Sequence, residues 1–85
     1  MTVPQANFLN FLSGLGTQGL MQLGAIPNPL TGERSANPEF ATYTVELLGV
    51  LKAKTEGNRT PEEDQYLTTM IADLGTRLAA LPKAD

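Results

Sequence analysis

Eighty-five residues carrying a formal charge of −3 and neither cysteine nor histidine describe one small domain. The missing cysteine excludes a disulfide frame and a thiolate metal site. Without histidine or cysteine, the usual pairings of nucleophile and base are absent as well. The mildly acidic balance gives no electrostatic reason to approach nucleic-acid phosphates or an anionic membrane surface.

A domain of this size buries only about 60% of the surface its unfolded chain exposes, so a partner that covers more would stabilise it. Charge is unevenly spread: residues 1–32 contain no charged side chain, and all fifteen charged residues follow from Glu33 onward. The first five residues hold no basic segment, and the apolar stretch after them is broken by Asn10, Ser13, Thr17, Gln18 and Gln22. No secretory signal is read there, which places the expected location in the cytoplasm.

A short lead-in containing Pro4 precedes Asn7, the expected N-cap of a first helix over residues 8–24. Phe8, Leu9, Phe11, Leu12, Leu15, Leu20, Leu23 and Ile26 cover about half of its circumference, more than a one-sided surface helix needs. Gly14, Gly16, Gly19 and Gly24 weaken it as an isolated helix, and they predict that another backbone approaches closely. Residues 25–36 carry Pro27, Pro29 and a Thr31-Gly32 turn, the pattern of an ordered loop.

Asn37-Pro38 sets an N-cap followed by proline at the first helical position, opening a second helix over residues 38–54. Phe40, Ala41, Tyr43, Val45, Leu47, Leu48, Val50 and Leu51 again make a wide arc. Lys52 and Lys54 in the last turn and Gly57 beyond it mark the end. Thr60, Pro61 and Glu63 then form a capping box that starts a third helix over residues 61–80. That helix shows one narrow stripe of Leu67, Met70, Ile71, Leu74, Leu78 and Leu81, with polar residues elsewhere, and the segment 81–85 ends it.

The predicted fold is therefore all-α: one domain over residues 1–85, with helices two and three as an antiparallel hairpin and helix one packed across it. Two wide-faced helices and one narrow-faced helix do not close around a single core, which predicts completion by oligomerisation. The expected self-association surface comprises Phe8, Phe11, Leu12, Leu15, Gly16, Gly19, Leu20, Leu23, Val45 and Leu48. Asn37, Gly57, Thr60 and Glu63 are expected to act as structural caps.

The pattern Gly14-Leu15-Gly16-Thr17-Gln18-Gly19 matches G-x-G-x-x-G, but no strand precedes it and it lies within a helix. It reads as small residues at a helix contact. The acidic run Glu62, Glu63 and Asp64 occupies a first helical turn, where carboxylates offset the helix dipole, and Tyr43 and Tyr66 read as packing residues. Arg34, Arg59 and Arg77 read as surface ion-pair partners. A helix-turn-helix reading meets Pro61-Glu62-Glu63-Asp64 where DNA phosphates would lie, so nucleic-acid binding is not expected. No catalytic residue, metal site or cofactor is predicted, and the chain is read as non-enzymatic.

The ordered series Leu23-Gly24-Ala25-Ile26-Pro27-Asn28-Pro29, Thr31-Gly32-Glu33, Val45-Glu46-Leu47-Leu48-Gly49-Val50-Leu51, Lys54-Thr55-Glu56-Gly57-Asn58, Thr60, Glu62-Glu63 and Asp73-Leu74 resembles a bacterial domain-of-unknown-function family, number eighteen forty-four. The likeness spans residues 8–78. It implies a small helical domain and brings no reaction, cofactor or partner with it. Family members often carry a charged N-terminal extension and a basic, Tyr-containing end to the last helix, where this chain has Gly75-Thr76-Arg77-Leu78-Ala79-Ala80.

The expected function is a protein-interaction module that forms a homo-oligomer and binds an unidentified protein partner. Peripheral membrane association through the uncharged first helix, disfavoured by its glycines and polar residues, is one alternative. A small-ligand sensor using the proline-rich loop is the other.

Overall fold

The computed structural model describes Val3 and residues 5–81. The expected lead-in proline, Pro4, and the chain end at residues 82–85 lie outside the described residues. Three helices follow one another, α1 (Phe8–Gln22), α2 (Pro38–Lys54) and α3 (Pro61–Ala79), and each packs against both others. Among the described residues there is no named strand, only an isolated antiparallel bridge between Leu23 and Ala36.

Each helix starts where a short polar side chain can replace a missing backbone partner. Asn7 Oδ1 accepts from the Asn10 backbone N–H at 2.8 Å, and Asn37 Oδ1 accepts from Phe40 N–H at 3.2 Å. Thr60 Oγ1 accepts from Glu63 N–H at 3.1 Å while Glu63 Oε1 accepts from Thr60 N–H at 2.8 Å, so the capping box is complete.

The end of α1 differs from expectation. The helix stops at Gln22 rather than at residue 24 because Gly24 takes a left-handed φ of +75°. Gly24 N–H donates to Met21 O at 3.0 Å and Ala25 N–H to Leu20 O at 2.9 Å, the paired bonds of a Schellman motif. Gly24 is a stop residue and not a weak interior one. At α2, Gly57 has φ +83° and closes the end in the same region of backbone space, as the sequence predicted.

The core is small: Leu12, Leu23, Ala41, Leu48, Leu67 and Leu74 are buried, with Tyr66, Met70, Ile71 and Leu78 packed around them. Thr44 is the buried polar side chain, and its hydroxyl donates to Gln22 Oε1. This satisfies a group that would cost about 1–3 kcal/mol if left unpaired.

Gly16 and Gly19 are buried on α1, but side chains rather than a backbone fill the space beside them. A Cβ on Gly16 would lie 2.7 Å from Met70 Cε, and one on Gly19 2.9 Å from Leu74 Cδ1. Gly14 has nothing within 4 Å, and nothing in the structure explains it.

The Cα trace measures 41 × 33 × 15 Å with a radius of gyration of 13.6 Å, against about 12 Å for a compact chain of this length. A short dimension of 15 Å holds no more than two layers of helix, given Cα cylinders ~4.6 Å wide and axes ~8–10 Å apart.

Candidate interaction surface

Several of the charged side chains are bound up in structure. Among the described residues no group of three or more carboxylates, histidines or cysteines could hold a metal ion, and no buried side-chain nitrogen or oxygen lacks a hydrogen-bond partner. Glu63 is committed to the capping box. Asp64 holds Arg59.

Arg59 forms the expected ion pairs, with Glu56 and Asp64, and adds backbone contacts to them. Its side chain is only 8% exposed and ties the α2–α3 joint together: Nη1 donates to Lys52 O at 2.6 Å and Thr55 Oγ1 at 3.1 Å, Nη2 to Asp64 Oδ1 at 2.8 Å and Glu56 Oε2 at 3.2 Å, and Nε to Asp64 at 3.0 Å. The guanidinium thus satisfies an otherwise open carbonyl of the last turn of α2 while meeting the first turn of α3. The Asp64 hydrogen bond raises the guanidinium above its ordinary range, burial opposes the rise, and Glu56 reinforces it. A raised cation keeps its contribution to stability everywhere below the ordinary arginine range and loses it only as pH climbs through the raised value, so this joint is insensitive to pH near neutrality. Arg77 does form an exposed pair, with Asp73 at 3.0 Å.

The segment between α1 and α2 is ordered by its own hydrogen bonds. Asn28 N–H donates to Glu33 O at 2.8 Å, Gly32 N–H returns to Asn28 O at 2.7 Å, and Asn28 Oδ1 accepts from Leu30 N–H at 2.8 Å. Gly32, at φ +73°, turns the tip. Asn37 N–H donates to Gln22 O at 2.6 Å, pinning the two ends together. Leu30 stands at this tip 92% exposed.

Shallow depressions mark the surface of the described residues, three of them well defined. One of about 330 Å³ between α1 and α3 is lined by Leu9, Glu62, Gln65, Tyr66 and Thr69, and one of about 220 Å³ under the loop by Gln18, Met21, Gln22, Asn28, Glu33, Ser35 and Asn37. The third, about 250 Å³, is lined by Glu39, Phe40 and Tyr43. Only the first reaches the lower end of the ~300–1,000 Å³ range of small-molecule sites, and three of its five lining residues are exposed polar side chains.

Most of the expected self-association surface is spent inside the single chain. Leu12, Gly16, Gly19, Leu23 and Leu48 are buried, and Phe8, Leu15, Leu20 and Val45 are half-buried against the core. Only Phe11 stays more than half exposed, its ring 6.4 Å from that of Phe8. Besides Phe11, Val3 and the loop-tip Leu30, the large apolar side chains left open among the described residues lie on α2, where Phe40, Tyr43 and Val50 are 59%, 58% and 52% exposed. Tyr43 is therefore not an interior packing residue, whereas half-buried Tyr66 is.

Together with half-buried Leu47, these side chains follow a 3-4-3 spacing, one face of a helix. They lie about a third of a turn away from the buried face of Ala41, Thr44 and Leu48. Sequence reasoning saw one wide arc on this helix. The heptad spacing of Phe40, Tyr43, Leu47 and Val50 was the available signal that the arc contains two stripes.

No helix among the described residues is long and apolar enough to cross a membrane. A family model described as "Domain of unknown function (DUF1844)" matches residues 5–80, nearly the whole chain. No curated protein and no solved structure matches it. The chain belongs to the DUF1844 family.

Proposed function

We propose that this member of the DUF1844 family is a non-enzymatic, cytoplasmic helical module that self-associates and, in its assembled form, binds a protein partner. One observation carries the reading: Phe40, Tyr43 and Val50, on one face of α2, are 59%, 58% and 52% exposed while the other side of the helix is packed in the core. The six-residue connection between α2 and α3, locked by Arg59, supports an antiparallel hairpin of those helices as the unit that assembles.

Sedimentation equilibrium over a concentration series, with helicity followed in parallel, tests the reading. The expected result is a mass above 9.1 kDa and a thermal midpoint that rises with protein concentration, because a partner that binds only the folded chain stabilises it by mass action. A cooperatively folded monomer at tens of micromolar overturns it.

A further inference from the structure

Resting on the self-association proposed above, and going beyond it, we infer that the assembly surface is the outer face of α2: two copies pair antiparallel about a two-fold axis, and Lys54 of each copy seats in the depression lined by Glu39, Phe40 and Tyr43 of the other.

The stripe of Phe40, Tyr43, Leu47 and Val50 extends by one further step of four to Lys54, giving five positions at heptad a/d spacing on a helix about 25 Å long. Apolar residues at such positions pack when a second helix supplies the facing holes. α1 and α3 already occupy the other side of α2, so the second helix must come from another chain.

Charge sets the direction. Glu39 stands in the first turn of α2, and exposed Lys54 in the last. A parallel pairing would set Glu39 on Glu39, Lys54 on Lys54, and the two helix dipoles side by side in the same sense. An antiparallel pairing sets Lys54 against Glu39 at both ends of the contact and opposes the dipoles.

Register follows from the heptad count. Laying Leu47 on Val50 of the second copy moves seven residues along each helix to bring Lys54 onto Tyr43. There its stem crosses the Phe40 and Tyr43 rings and its ammonium reaches the Glu39 carboxylate, combining a cation–π contact with an ion pair. Two symmetric copies of this contact flank a Leu47–Val50 centre.

The native chain has no cysteine, so introduced ones report unambiguously. Tyr43→Cys and Lys54→Cys proteins, prepared separately, mixed and mildly oxidised, should give a disulfide-linked dimer. Neither protein alone should do so, because like positions in this register lie about 16 Å apart along the axis. Lys54→Glu should raise the dimer dissociation constant roughly tenfold, and the exchanged pair Glu39→Lys with Lys54→Glu should restore it. Circular dichroism on each protein shows that it is folded, as expected for exposed positions.

A dimer that forms without the mixed crosslink and ignores Lys54→Glu overturns this surface while leaving self-association standing. Crosslinking of the Tyr43→Cys protein alone overturns the antiparallel register. A folded monomer of the native chain overturns both readings.

Discussion

α1 and α2 carry apolar arcs of similar width, and the folded chain treats them in opposite ways. On α1 the arc is taken up within the molecule apart from Phe11: Leu12 is fully buried, Phe8, Leu15 and Leu20 rest against the core, and Gly16 and Gly19 let Met70, Tyr66 and Leu74 come down onto the helix. On α2 half of the arc enters or packs on the core through Ala41, Val45, Leu48 and Leu51, and Phe40, Tyr43 and Val50 of the other half face water. The width of an apolar face therefore shows how much of a helix needs cover, without showing what covers it. At Gly16 and Gly19 the absence of a side chain leaves room that Met70, Tyr66, Leu74 and Thr44 fill, a close contact for which α2 shows no glycine counterpart, since Gly49 has nothing within 4 Å.

The comparison breaks first at the core. Leu48→Ala empties a fully buried site on the inner face of α2 and should cost about 2–5 kcal/mol, read as a lowered urea midpoint at fixed protein concentration. In a domain whose whole stability is about 0.05–0.15 kcal/mol per residue, that is a large fraction.

Glycine substitutions on α1 sharpen it next. Gly19→Ala drives a methyl group into Leu74 and Thr44, a steric cost of ~1–3 kcal/mol that outweighs the ~1 kcal/mol of helix propensity gained. Gly14→Ala meets nothing within 4 Å and should instead stabilise by about 0.5–1 kcal/mol. Thermal midpoints of the two variants moving in the same direction would show that the two glycines do not differ as their surroundings imply.

The smallest effect separates the outer faces. Phe11→Ser removes the one large side chain of the α1 arc that is more than half exposed, and stability should stay within about 0.5 kcal/mol with an unchanged sedimentation mass. A loss of mass on Phe11→Ser would return the assembly surface to α1.

The helix starts and the end of α2 were legible because their determinants lie within a few residues of each other. Asn7, Asn37 and Thr60 each cap from three residues away, Gly57 ends α2 through its own φ, and the three helices of the described residues follow from the spacing of apolar positions. Gly24 was misjudged even though its signal is local, because a glycine that weakens a helix interior and one that stops the helix look alike until the Leu20 and Met21 carbonyls receive their donors. The depression beside Phe40 and Tyr43 was not visible at all, since it depends on which side of α2 meets α1 and α3.

By itself the sequence determined the class of fold, where the helices begin, the ordered turn at Gly32, and the absence of histidine and cysteine chemistry. Those features depend on backbone hydrogen bonds and side-chain types that act over three to five residues. Only the tertiary structure decided that Leu12 and Leu48 turn inward while Phe40 and Tyr43 turn outward, and that the half-buried Arg59 ties the α2–α3 joint together. The physical reason is that burial belongs to the packed ensemble of helices: an apolar stripe carries the same transfer free energy wherever it is covered, and the partner that covers it is chosen by shape and close contact over long sequence separations.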